Sequence, residues 1–360
     1  MPVEERTEQH VLGLIERVKG KPLRFRDGQI TMAHGAGGKA TLTLIEGLLA
    51  PAFGLEPREL ADAGLLTVNG TGLALTTDSF VVKPIRFPGG SIGELAVNGT
   101  VNDLAVSGAR PLALTLSLVL EEGLSAAALG AEVEAIAQAA EAAGVQIVAG
   151  DTKVVERGHC DSMYVTTTGI GRIDDRARLS PASLRPGDRI LVSGPIGEHG
   201  TAIMLARGEF ELDASIESDT QSLWPAMDSL LEAAGGSLRC VRDATRGGVA
   251  SVLNELARAS GVAVVVREAD VPVHPAVNGA CEILGIDPMY VANEGRLVAF
   301  VAPEEASDAL AALRAVPGCE DAAEIGEVKT EPPGMVLVET AFGGRRVMDL
   351  LVGDPLPRIC

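Results

Sequence analysis

Aromatic side chains are scarce: one Trp, two Tyr and seven Phe in 360 residues. A core with so few rings must be filled by Ala, Val, Leu and Ile. The 42 Gly point to many tight turns and close backbone approaches. Cations are outnumbered too, with 30 Lys and Arg against 49 Asp and Glu, a formal net charge of −19. Such a surface argues against nonspecific nucleic-acid binding, which needs cations facing phosphate. It also repels phosphate ligands unless a divalent cation intervenes. Cys160, Cys240, Cys281, Cys319 and Cys360 form no CxxC and no paired spacing. That set argues against a disulfide framework and for a reducing compartment. There is no leader-like apolar segment near the start and no apolar run of about 18 residues. The expectation is a cytoplasmic protein with no membrane contact, long enough for two domains.

In chain order, residues 1–27 read as an extension. Val11, Leu12, Leu14, Ile15 and Val18 recur in it at helical spacing, with Glu16, Arg17 and Lys19 opposite. Next comes His34-Gly-Ala-Gly-Gly-Lys39 before an apolar-periodic run, Thr41–Leu49. A Gly-rich turn opening a helix can wrap phosphates with backbone N–H groups. The spacing is not that of a Walker A loop, and the pattern is equally compatible with a plain loop. Leu73–Val82 reads as a strand with Asp78 inside it, which is costly unless the acid is paired or holds a metal. A helix from Ile92 carries Asn98, Thr100, Asn102 and Asp103. Ala126–Ala143 is an Ala-rich helix stopped by Gly144. Val145–Ala149 reads as a buried strand running into Gly150-Asp151-Thr152-Lys153. Singly, Asp78, Asp103 and Asp151 fit caps or turns. Together, each at or near the end of an apolar element, they suggest carboxylates converging on Mg²⁺, which bridges acids to phosphate.

A boundary falls near Leu184-Arg-Pro-Gly-Asp188, after which strands and helices alternate again. Thr245-Arg246-Gly247-Gly248 before a helix is a second candidate anion turn. Glu294 stands in a Gly-flanked turn, where functional side chains are often displayed. Cys240, Cys281 and Cys319 read as small core residues. His10, His199 and His274 read as surface or packing residues. The chain finishes Leu356-Pro-Arg-Ile-Cys360. Gly353, Pro355 and Pro357 forbid a regular helix there. About ten extended residues span roughly 33–36 Å, enough to deliver the Cys360 thiol to a distant pocket; a frayed end is the plain alternative.

These motifs in combination are specific. They are His34–Lys39, Thr77–Val82, Pro88-Gly-Gly90, Gly99–Leu104, Gly150–Val155, Asp243–Gly248, Val291–Gly295 and the closing Pro-Arg-Ile-Cys. The chain from about residue 28 onward resembles the HypE family of [NiFe]-hydrogenase maturation proteins. The Asp and Gly motifs are shared with a wider ATP-using superfamily: aminoimidazole ribonucleotide synthetase, selenophosphate synthetase and thiamine-monophosphate kinase. Pro-Arg-Ile-Cys singles out HypE. Ala244 replaces a Pro common in the family.

The resemblance implies a two-domain α/β fold of α+β layers, like aminoimidazole ribonucleotide synthetase. It has an ATP-binding domain at 28–183, a second domain at 184–345 and a flexible tail at 346–360. It implies a homodimer in which the first-domain sheets pair into a barrel. It implies ATP contacts at His34, Gly35, Gly37, Gly38, Lys39, Asn98, Thr100, Asn102, Thr152, Thr245, Arg246 and Gly247, and Mg²⁺ at Asp78, Asp103, Asp151 and Asp243. Cys360 would take a carbamoyl group from the carbamoyltransferase HypF. ATP-driven dehydration, with Glu294 as base beside Lys153, would turn the thiocarboxamide into a thiocyanate. Its nitrile would pass to iron on a HypC–HypD complex. Two rivals stand beside this reading. One is a small-molecule enzyme of the same superfamily, although no Cys precedes Cys160 to serve selenophosphate chemistry. The other is a non-enzymatic thiol carrier.

Overall fold

The computed structural model describes residues 23–56, 60–208, 215–353 and 359–360. The helical pattern at Val11–Val18 lies outside them. Two sheets organise the described chain.

The first sheet is entered through Met32–Gly35, a single tight turn, and the helix α1 (Lys39–Leu44), carried on by short helical segments to Phe53. Strand β1 (Gly64–Val68) and β2 (Thr71–Phe80) form a hairpin about Asn69-Gly70. Both turn residues have positive φ, 51° and 82°, the left-handed pair that suits the twist of a two-residue hairpin. The helix α2 (Ile92–Val106) follows, then β3 (Ala109–Glu121), α3 (Ala126–Ala143), β4 (Gln146–Val155) and β5 (Met163–Ile173). The sheet order is β1-β2-β5-β3-β4; only β3 and β4 run parallel. The helix α3 starts on a Ser125 cap and stops at Gly144 in the left-handed region, as its sequence predicts.

Nearly all of α2 is buried, and it packs on one face of this sheet. Gly99 makes that approach possible: a Cβ there would stand 2.8 Å from the Phe80 ring. No described residue covers the other face. Leu66, Val68 and Leu75 are exposed apolar residues on it. The expectation of a buried strand over Val145–Ala149 is therefore corrected. Gln146–Lys153 is exposed throughout, because β4 is the edge strand and none of the described residues covers it.

The second sheet follows from β6 (Arg189–Val192), α4 (Glu198–Ala206), α5 (Trp224–Ala234), β7 (Leu238–Asp243), α6 (Gly248–Ser260), β8 (Ala263–Arg267), α7 (Pro275–Leu284), β9 (Leu297–Val301), α8 (Ala306–Arg314), β10 (Ala323–Lys329), β11 (Met335–Glu339) and β12 (Arg345–Met348). Its order is β12-β11-β8-β10-β6-β9-β7. Period-two alternation splits its side chains between two cores. Ile190, Val192, Val298 and Phe300 meet α6, while Leu191, Leu297, Ala299 and Val301 meet α5 and α8. Arg346–Met348, expected in the tail, pair with β11 as part of β12.

Candidate active site

The site lies where α2, β2, β7 and two loops of the second domain converge. Asp103, near the end of α2, and Asp243, the last residue of β7, meet Asp62 just before β1. One carboxylate oxygen from each lies within 4.8 Å of the others. Asp78, on β2, lies beside Asp103 and interacts with it. Thr76 Oγ1 donates to Asp103 Oδ2 at 2.6 Å. Arg242 holds Asp62 and donates to the Leu60 carbonyl at 2.7 Å. Burial, and then the neighbouring acids, push Asp103 and Asp243 well above the usual carboxylate range. Asp78 is raised chiefly by burial, against the pull of Arg246. Carboxylates this close repel unless a proton or a cation intervenes, and an all-oxygen donor set suits Mg²⁺.

Glu294 is buried above this cluster, and its loop is tied down on every side. Its N–H donates to Asp219 Oδ1 at 3.0 Å, and its carbonyl accepts from Asn102 Nδ2 at 3.0 Å. Asn293 donates to the Ala244 carbonyl, and Arg296 donates to Pro195 and Gly318 carbonyls and to Glu198. Gly295 is required by space: a Cβ there would fall 1.9 Å from the Asp219 carbonyl oxygen. Burial first, then Asp243, Asp219 and Asp78, hold the Glu294 carboxyl well above its usual range, and Arg246 opposes them.

Arg246 connects the parts. It feels Cys360 most strongly, then Asp78, Glu294 and Asp103. The end of the chain is seated here. Val81 N–H donates to the main-chain oxygen of Cys360 at 3.1 Å. Ile359 is buried among Phe80, Val82, Phe87 and Ile203, with Cys360 packed beside it. Burial pushes the Cys360 thiol up to about 12, with Arg246 pulling the other way.

The two Gly-rich turns meet. Arg246 NH1 donates to the Gly35 carbonyl at 3.3 Å, and Ser251 Oγ to the Gly37 carbonyl at 3.0 Å. A Cβ on Gly37 would lie 2.6 Å from Arg246 O. Gly247, with φ +79°, precedes α6. The loop at Gly35–Lys39 thus borders the acids, as an anion turn would.

Several expected residues are already engaged with the protein itself. Both ring nitrogens of His34 bond within its own segment, to Thr31 and Asp27. Lys39 pairs with Asp349 at 2.8 Å. Asn102 spends its whole amide on Gln221, Glu294 and Leu223, joining the two domains. Thr100 bonds Thr167 beneath the sheet, and Asn98 reaches Thr220. Thr245 accepts at its carbonyl from Gly248 N–H. Asp151, Thr152 and Lys153 lie on exposed β4, where Lys153 Nζ binds Asp151 at 2.6 Å and Thr152 N–H donates to the same acid. Within one protomer, among the described residues, the cation acting on Glu294 is Arg246, and Lys153 pairs with Asp151. The third acid of the cluster is Asp62 instead of Asp151. Asp62 was not legible because it carries no motif; an acid just before an apolar strand was its only signal. Asp219 and His199 were missed for a like reason, since their partners are distant in sequence.

Comparison with known proteins agrees with this geometry. The family model for AIR synthase related proteins matches twice, its N-terminal domain over residues 60–173 and its C-terminal domain over 185–338. The fold and the acid-lined site between those units define a two-domain protein of the AIR synthase-related class. A ThiL structure in complex with AMPPCP and TMP, 21% identical, shares the fold with a TM-score of 0.65. The carbamoyl dehydratase HypE of Rhodobacter capsulatus is 50% identical over 341 residues, 94% of this chain and 100% of that protein. That of Escherichia coli is 44% identical, over 92% of this chain and 99% of its own. A solved HypE–HypF complex matches with TM-score 0.81 at 44% identity, covering 86% of this chain and 99% of that one. A HypE structure in complex with ATP matches at 0.77 and 45%, covering 92% and 100%. The chain belongs to the HypE carbamoyl dehydratase family.

Proposed function

We propose that this protein is an ATP-dependent dehydratase acting on a carbamoyl group carried by its own Cys360, converting a thiocarboxamide to a thiocyanate for the iron centre of a [NiFe]-hydrogenase. The observation that carries the reading is the seat of Cys360, beside Arg246 and within the field of Glu294 and Asp78. A thiol seated among an acid cluster, a buried carboxyl and an arginine is a carried substrate in position. The small-molecule rival leaves that seat unexplained.

The chemistry then follows. Amide oxygen is a poor leaving group. Its attack on the γ-phosphorus of ATP, with departure of ADP, converts it to a phosphate ester. Loss of the two N–H protons and cleavage of the C–O bond then release phosphate and leave S–C≡N. Glu294 is assigned the acceptance of a nitrogen proton, and its pKa, raised by burial and the neighbouring acids, favours proton uptake. Arg246 is placed to stabilise negative charge on the departing phosphate. Asp62, Asp103 and Asp243 fit a Mg²⁺ ion, with Asp78 beside them. That ion, when bound, would neutralise the transferring phosphoryl group. The N–H groups of Ala36, Gly37, Lys39 and Gly248 are spent within the protein, so backbone contacts to phosphate would fall to the remaining N–H groups of the two turns.

HypF is the proposed donor of the carbamoyl group, and a HypC–HypD complex the proposed acceptor of the nitrile. A homodimer through the uncovered sheet face is proposed from its exposed Leu66, Val68 and Leu75. Asp151 and Lys153, on that face, enter the reading only through such a dimer. The direct test is stoichiometry: carbamoylated protein releases one ADP for each thiocyanate formed. ATP consumption with no thiocyanate would overturn the reading.

The acid cluster carries its own prediction. Carboxyls whose pKa is raised by folding bind protons more tightly folded than unfolded. The metal-free fold therefore loses stability as pH climbs from the ordinary carboxylate value toward the raised one. Mg²⁺ replaces those protons, so the rise in melting temperature on adding Mg²⁺ grows with pH. Asp103→Asn relieves the repulsion and keeps an acceptor for Thr76. It is expected to raise the metal-free melting temperature by about 2–4 °C, the effect of ~1 kcal/mol in a domain of this size, and to abolish the response to Mg²⁺. Calorimetric scans at several pH values with and without Mg²⁺ check both. A pH-independent Mg²⁺ response would remove the metal from this cluster.

A further inference from the structure

His199 is fully buried in the first turn of α4 and touches none of the acids of the cluster. Its Nε2 lies 2.6 Å from the carbonyl oxygen of Ile359, and its Nδ1 lies 2.8 Å from Ser218 Oγ. A carbonyl can only accept, so Nε2 carries the proton. Ser218 Oγ already accepts from Thr220 N–H at 3.2 Å, which leaves its own hydrogen for Nδ1. The ring is therefore a neutral donor of fixed tautomer. Burial agrees, lowering its pKa to about 4. The Phe87 ring meets it edge-on at 5.6 Å.

Both ends of this arrangement are anchored. Ser218 N–H donates to the Pro88 carbonyl at 2.8 Å. The next residue, Asp219, accepts from Glu294 N–H at 3.0 Å. Gly200, following His199, donates to the Ala292 carbonyl at 3.0 Å, in the loop that carries Glu294. One short segment and one helix start thus hold the residue before Cys360 and the main chain of Glu294 together.

We propose that His199, set by Ser218, is the latch that seats the end of the chain and aims the Cys360 carbamoyl group at Glu294 and the phosphoryl donor. This rests on the reading of Cys360 as a carrier. His199 is a positioning residue: it grips the Ile359 carbonyl and touches no reacting atom. Its hydrogen bond matters to the ATP-dependent step, when the thiol must be in the pocket, and not to loading, when the thiol must be accessible to the carbamoyl donor.

The test compares wild type, His199→Leu and His199→Gln in the full chain. Gln keeps an N–H donor near the position of Nε2; Leu removes it. The first readout is alkylation by iodoacetamide, followed for each cysteine by peptide mass. Cys160, Cys240, Cys281 and Cys319 are buried and serve as internal standards. Loss of one buried hydrogen bond is worth roughly tenfold in an equilibrium. His199→Leu is expected to speed alkylation of Cys360 about tenfold, with the other four unchanged. His199→Gln stays near wild type. The second readout splits the reaction: carbamoylation of Cys360 is unchanged or faster in His199→Leu, while water loss on adding Mg-ATP slows about tenfold and is largely restored in His199→Gln. Equal Cys360 alkylation in wild type and His199→Leu would overturn the latch, as would a parallel rise at all five cysteines. If wild-type carbamoylated protein loses no water with Mg-ATP, the carrier reading falls, and the alkylation comparison still decides whether His199 holds the chain end.

Discussion

Cys360→Ala is expected to abolish thiocyanate formation altogether while leaving the fold and ATP binding intact. In the proposed reaction the thiol bears the carbamoyl group, so no second residue can replace it. Only Cys360 among the five cysteines is partly exposed; the other four are buried and none forms a disulfide. Its side chain packs at the margin of a core built by Phe80, Val82, Phe87 and Ile203, and removing one sulfur there costs little. The melting temperature should therefore stay within a few degrees of wild type. Nucleotide binding, followed calorimetrically, should be unchanged, because the acids and both Gly-rich turns are untouched. Thiocyanate from this variant would assign the carrier elsewhere.

Glu294→Gln should give the second largest effect. The substitution is nearly isosteric and leaves the main-chain bonds to Asp219 and Asn102 in place. It removes the group proposed to take a nitrogen proton. Losing a general base costs about 10²–10⁴ in rate. The variant should load carbamoyl and bind ATP, then stall. Wild-type dehydration should quicken as pH rises through the raised pKa of Glu294, since only the carboxylate accepts a proton, and the variant should lose that rise. Single-turnover mixing of carbamoylated protein with Mg-ATP across pH measures both. A variant with the full rate and an unchanged pH profile would take Glu294 out of the proton transfer.

Local signals carried much of this architecture. The helix Ala126–Ala143 was legible to the residue because Ser125 and Gly144 punctuate it. The apolar run Val262–Val266 falls on the strand Ala263–Arg267, as such a run does in a sheet covered on both sides. The same logic fails at Val145–Ala149: Val145 is buried, but Gln146–Ala149 begin the edge strand β4 and are exposed. Asp78, Asp103 and Glu294 could be picked out because each stands at an odd place in an apolar pattern or a Gly-flanked turn; Asp151, picked on the same ground, lies on exposed β4, and Asp243 came only through the family resemblance. Asp62, Asp219 and His199 could not. Asp62 meets Arg242 from 180 positions away, and His199 meets Ile359 from 160 positions away. Such pairs exist only once the two domains and the chain end are assembled.

The same assembly explains why Asn102, first read as a nucleotide contact, holds the protein together. Its amide has three strong partners from the second domain, and an unpaired buried amide is costly. Neighbouring Asp103 keeps its carboxylate for the acid cluster. One helix thus supplies both the joint between domains and a wall of the site.

The most direct test of the central claim is the intact mass of the C-terminal peptide. The protein is incubated with HypF, its carbamoyl substrate and the nucleotide HypF requires, freed of nucleotide, and then given Mg-ATP. The account predicts a carbamoyl adduct on Cys360 that loses the mass of one water only after Mg-ATP is added. A Cys360 that stays unmodified beside active HypF, or an adduct that keeps its oxygen with Mg-ATP present, would contradict it.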